Sequence, residues 1–147
     1  MPTTRPRRKP VTILYHLTDE SRLPSILRDG LDPRKTEGAS ELVYFASDKH
    51  TAIGYAGHHG DRISKPVLLS VEVRSLWSCD LGPDDCDFPD ALGSERLERG
   101  RPWYQYSWRE SLRICGQCAY SSVVPPKHIR VESDAVLRFR LADQAAA

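Results

Sequence analysis

Polar and apolar positions along this chain fall into short runs, and the longest runs have the period of strands. Val11 to His16 is a β-branched and aromatic run bounded by Pro10, so it is expected to be the first strand, with His16 delivered to a loop at its end. Asp19 or Ser21 can cap a helix running to about Asp29, in which Leu23, Ile26 and Leu27 form one apolar stripe and Gly30 is the C-terminal stop. Leu31 to Ser40 lacks periodicity and reads as a surface loop. Leu42 to Ala46 predicts a short strand, and a helix from Lys49 to about Ala56 follows, weakened by Gly54. Gly57 to Lys65 is a polar turn, and Val67 to Val73, rich in valine, predicts a central strand.

Ser78 to Pro102 reads as a long loop, with a short helix around Ser94 to Arg99. Trp103 to Trp108 is aromatic-rich, Gln117 to Val124 suits a strand, and Ile129 to Val131 and Ala135 to Leu141 suit two more. The pattern thus divides into a basic arm over 1–10, one domain over 11–141 and a frayed tail over 142–147. No internal repeat or heptad run supports a solenoid or coiled coil.

Composition narrows the class. The chain has 147 residues, 39% hydrophobic and 28% charged, the balance of an ordinary globular domain. A net charge of +1 excludes a global field for nucleic acid or anionic membranes. Local contacts with phosphates stay open through Arg5, Arg7, Arg8 and Lys9, with stacking from Trp103, Tyr104, Tyr106 and Trp108, although such a terminus is commonly solvated and such aromatics commonly core. No apolar run reaches the roughly 20 residues of a membrane span, and no secretory signal is evident, so a cytoplasmic monomer without membrane contact is expected. In that compartment Cys79, Cys86, Cys115 and Cys118 are read as thiols or metal ligands. Cys115-Gly-Gln-Cys118 has the spacing of a zinc knuckle, and the four together would make a closed structural zinc site. The longer gap between Cys79 and Cys86 leaves isolated thiols or a redox pair as the alternatives.

Three separated segments carry a resemblance. They are Tyr15-His16-Leu17-Thr18, Val43 to Ala46 with Tyr55 eleven positions after Tyr44, and Gln117 to Pro126. Their order resembles the ADP-ribosyltransferases with the His-Tyr-Glu signature, the diphtheria-toxin and poly(ADP-ribose) polymerase branch. Ile26-Leu27-Arg28-Asp29-Gly30-Leu31 is similar to that family's first helix, and Val124-Pro125-Pro126-Lys127-His128-Ile129 to its proline edge. Counting back from that edge puts Gln117 where the family has its glutamate. The resemblance implies an α+β fold with an ADP-ribosyltransferase-like split β-sheet core and short flanking helices. It also implies NAD as substrate.

In that reading Tyr44 and Tyr55 sandwich the cationic nicotinamide ring through stacking and cation–π attraction. Tyr15 belongs to the same NAD pocket, His16 and Thr18 reach ribose hydroxyls, the Leu17 backbone fixes the carboxamide, and Ala52 stands where the polymerases carry a serine. Cleavage of the nicotinamide–ribose bond develops oxocarbenium character, which a carboxylate stabilises. Gln117 cannot provide that charge, so Glu110 and Glu41 are the carboxylates considered in its place. The resemblance implies a mono-ADP-ribosyltransferase of toxin or effector type acting on a protein or nucleic-acid acceptor. A non-catalytic nucleotide-binding module on the same fold is the alternative, and an NAD-dependent RNA 2′-phosphotransferase a lesser one.

Overall fold

The β-branched run at the start of the chain does form a strand, β1 (Ile13–Asp19), three residues longer at its C-terminal end than its composition suggests. The computed structural model describes residues 9–35, 41–58, 63–85, 88 and 100–132; the basic arm apart from Lys9 and Pro10, the helix expected near Ser94, the strand expected at Ala135 and the tail lie outside them. Leu17, Thr18 and Asp19 stay in the strand because β1 pairs antiparallel with β3 (Pro66–Glu72) over its whole length, from Ile13↔Glu72 to Asp19↔Pro66. His16 is therefore in the middle of a strand, where a loop position had been expected.

Asp19 closes β1 and starts the next element. Its carboxylate accepts from the backbone N–H and hydroxyl of Ser21 and from the N–H groups of Ser64 and Lys65, which holds its carboxyl far below the usual range. A 3₁₀ turn at Glu20–Arg22 then runs into α1 (Leu23–Asp29). Ile26 is buried, whereas Leu27 is 47% exposed and leaves the predicted stripe. Gly30 ends the helix at φ 92°, and a Cβ there would stand 2.2 Å from the Val124 carbonyl oxygen. Only glycine permits that approach, which lets Leu31 and Val124 exchange backbone hydrogen bonds of 3.0 and 2.9 Å.

β2 (Val43–Ala46) and α2 (Lys49–His58) follow as expected. Two further elements arise where none was predicted. β4 (Leu81–Pro83) lies within the stretch read as loop, and α3 (Trp108–Cys115) begins inside the aromatic-rich segment. A capping box starts α3: the Ser107 hydroxyl accepts from Glu110 N–H, and the Glu110 carboxylate accepts from Ser107 N–H. β5 (Gln117–Tyr120) is shorter than expected, and β6 (Arg130–Val131) follows the proline edge.

The strands form one antiparallel sheet in the order β4-β5-β2-β1-β3-β6, so the chain is α+β with short helices. Alternation sends Leu14, Val43, Phe45, Leu69 and Tyr120 to one face, where Ile26 of α1 and Leu112 of α3 complete the main core. Leu17, Ala46 and Leu68 point the other way and pack on Ala52 and Ile53 of α2. No helix among the described residues is long and apolar enough to cross a membrane.

The two sides of β1 are unlike. Against β2 it pairs at Tyr15↔Ala46 alone, while β2 pairs with β5 from Val43↔Tyr120 to Ala46↔Gln117. The sheet is thus two zipped halves, β1-β3-β6 and β2-β5-β4, joined at one register pair.

Candidate functional site

The seam between the halves opens because a side chain occupies it. The Nδ1–H of His16 donates to the Tyr44 carbonyl at 2.7 Å, a bond that takes up the backbone oxygen a ladder partner would otherwise use. The ring stands edge-on to Phe45, with centroids 6.0 Å apart. A carbonyl only accepts, so Nδ1 carries the proton and Nε2 is left as an acceptor. Burial lowers the His16 pKa; the Tyr44 carbonyl opposes it and the positive charge of Arg22 adds to it, and the net lowering keeps the ring neutral at neutral pH.

His16 lines clefts on both sides of the seam. On the α2 side is a narrow one of about 70 Å³, bounded also by Tyr15, Leu17, Tyr44, Ala46, Ala52 and Gln117. Register explains this gathering: Tyr15, Ala46 and Gln117 form one row across β1, β2 and β5. On the α1 side a cleft of about 290 Å³ is bounded by Thr18, Ser21, Arg22, Ser25 and Lys35 with the Gly30–Leu31 turn. Hydroxyls, two cations and the Asp32 carboxylate thus face the larger cleft, and aromatic and amide groups the smaller.

Gln117 is 8% exposed, and its Oε1 has no hydrogen-bond partner among the described residues. Its backbone is firmly held, since the buried Ser111 hydroxyl donates to the Gln117 carbonyl at 2.6 Å and accepts from Asp84 N–H at 3.0 Å. The Tyr44 hydroxyl donates to Asp85, just past β4. Sequence reasoning passed over Asp85, although an Asp84-Asp85 pair ahead of the cysteine was visible in it.

The structure therefore brings Tyr15, His16, Leu17, Tyr44, Ala52 and Gln117 around one cleft and puts Thr18 in the neighbouring one. Tyr55 is carried by α2, but its side chain lies outside the described residues. Glu110 is committed elsewhere, to the capping box and to Arg101, which it meets through both oxygens at 3.0 Å; these partners hold its carboxyl below the usual carboxylate range. Glu41 is exposed ahead of β2. Among the aromatics considered for base stacking, Tyr106 is buried and only Tyr104 is largely exposed. A further clamp was not foreseen: Lys49 lies 5.9 Å from the Tyr15 ring centre and pairs with Glu132, which also accepts from Ser70.

The cysteines are unlike one another. Cys79 is exposed, Cys115 sits at the end of α3, and Cys118 is buried in the main core, where burial pushes its thiol up to about 12. No group of three or more His, Cys, Asp or Glu side chains gathers among the described residues, and Cys86 lies outside them.

No family model matches the chain, and no curated protein does. Among solved structures it is similar to EcPltA, at 12% sequence identity and a TM-score of 0.46, over 82% of this chain and 74% of that one. The functional reading rests on the side chains instead.

Proposed function

We propose that the chain binds NAD across the seam between β1 and β2 and acts as a mono-ADP-ribosyltransferase-like protein of toxin or effector type, moving ADP-ribose to a protein or nucleic-acid acceptor. The observation that carries this reading is the convergence of His16, Tyr44 and Gln117 on one cleft, with a buried Gln117 oxygen that has no hydrogen-bond partner among the described residues. A buried acceptor of that kind costs about 1–3 kcal/mol unless something donates to it, and a ribose hydroxyl is such a donor. Neutral His16 offers Nε2 to a second hydroxyl. Tyr15 and Tyr44 suit a flat cationic ring in the narrow cleft. The hydroxyls of Thr18, Ser21 and Ser25 suit the nucleotide's other half, and Arg22 and Lys35, the latter now paired with Asp29, suit its diphosphate. The Asp32 carboxylate in the same lining can accept from a ribose hydroxyl.

A second reading, a nucleotide-binding module without turnover, is favoured by the neutral amide of Gln117 at the position where the resemblance calls for a carboxylate. Labelled NAD separates the two. Saturable binding with release of nicotinamide and transfer of label to protein or nucleic acid is the expected result for the transferase. Binding without release would favour the module, and no binding at millimolar NAD would overturn both.

A further inference from the structure

Cleavage of NAD at the glycosidic bond calls for a negative charge near the ribose, and Gln117 has none. Glu110 is held by Ser107 and Arg101, and Glu41 is exposed ahead of β2. Among the other carboxylates near the cleft, Asp84 is fully buried and Glu132 is paired with Lys49 and Ser70, whereas Asp85 meets a side chain that lines it. We propose that Asp85 is the carboxylate of this active site, an inference that rests on the NAD reading above.

Two constraints hold it next to the cleft, behind the residues that line it. The first is the hydrogen bond from the Tyr44 hydroxyl to Asp85, since Tyr44 lines the same narrow cleft as Gln117. The second is the backbone. β4 pairs with β5 up to Pro83↔Cys118, so Asp84 follows opposite Gln117, and the buried Ser111 hydroxyl bridges Asp84 N–H to the Gln117 carbonyl. Asp85 is the next residue along, partly exposed, and restrained by the Tyr44 hydroxyl and by the held backbone of Asp84 before it. A charged group held by packing and hydrogen bonds is already oriented when positive charge develops, which is the condition for electrostatic catalysis.

The bond between ribose C1′ and the pyridinium nitrogen breaks, its electron pair goes to that nitrogen, and neutral nicotinamide leaves. Positive charge passes to C1′ and the ribose ring oxygen, where Asp85 stabilises it. Water or the acceptor's nucleophile then forms the new bond to C1′, and its proton goes to the Asp85 carboxylate and on to solvent.

The test compares wild type, Asp85→Asn, Asp85→Glu and the double variant Asp85→Asn with Gln117→Glu, measuring NAD affinity, nicotinamide release at saturating NAD, and melting temperature. Asp85→Asn is expected to lose about a hundredfold or more in release, with affinity within about threefold of wild type. Asp85→Glu keeps the charge and retains most of the rate, and adding Gln117→Glu to Asp85→Asn recovers at least about tenfold. Release by Asp85→Asn at the wild-type rate overturns the assignment and leaves the NAD reading intact. So does binding without release in wild type. Equal losses of affinity and melting temperature in Asp85→Asn and Asp85→Glu would make Asp85 a structural anchor and overturn it too. Absence of NAD binding in wild type removes the underlying reading itself.

Discussion

The two edges of β1 are built from the same seven residues, yet one edge is zipped and the other is held by a single pair. On the β3 side every position from Ile13 to Asp19 has a partner, and Leu14 and Leu69 there are fully buried. On the β2 side the ladder stops at Tyr15↔Ala46 and a histidine ring fills the gap. The first edge is closed by pairing and burial, and the second leaves side-chain polar atoms facing the clefts. A continuous ladder uses up its backbone groups and closes its surface, whereas an interrupted one leaves room and polar atoms for a ligand.

Breaking the zipped edge should have the largest effect. Leu69→Ala removes a side chain with no exposed surface and is expected to cost about 2–5 kcal/mol, read as a lower urea midpoint with an unchanged slope. If that edge were no more important than the seam, the loss would stay under about 1 kcal/mol. Breaking the seam should separate binding from stability: His16→Ala is expected to weaken NAD by at least about tenfold, or 1.4 kcal/mol, while unfolding shifts less than it does for Leu69→Ala. Calorimetric titration with NAD beside urea unfolding measures both, and an equal loss in each would erase the contrast between the edges.

The smallest effect sharpens the comparison through pH. His16 has a lowered pKa in the folded chain, so as pH falls below about 6.5 the unfolded chain takes the proton first. Its contribution to stability is full above that pH and declines as pH falls towards the folded pKa. Asp19 loses its contribution only in much more acid solution, because its carboxyl is held far below the usual range. Wild type should therefore lose more stability than His16→Gln between pH 7.5 and 5.5, with NAD affinity falling severalfold over the same interval. Parallel curves for the two proteins would show that His16 is not buried as a neutral ring.

Much of this was legible beforehand, for physical reasons that differ by element. β1, β2 and β3 are valine-, leucine- and aromatic-rich runs whose composition already favours a pleated, half-buried surface, and Gly30 marked a helix end that only glycine can make. α3 starts in an aromatic-rich run whose composition favours strand or core over helix, so only the capping-box spacing of Ser107 and Glu110 marks it. β4 could not be read at all. Leu-Gly-Pro has little strand propensity, and proline is tolerated there because the strand is at the sheet's edge. Of the candidate site, His16, Tyr44 and Gln117 were named in advance, while Glu110 had the right chemistry and the wrong partners.

By itself the sequence determined the strand-forming runs, the helix caps and the residue types available to a nucleotide, since these follow from local preference and side-chain chemistry. Tertiary structure alone decided that β1 zips on one edge and parts on the other, that Gln117 Oε1 is buried without a described partner, and that Asp85 meets Tyr44. Those outcomes depend on register between strands far apart in the chain. A shift of one residue would turn each of these side chains to the opposite face.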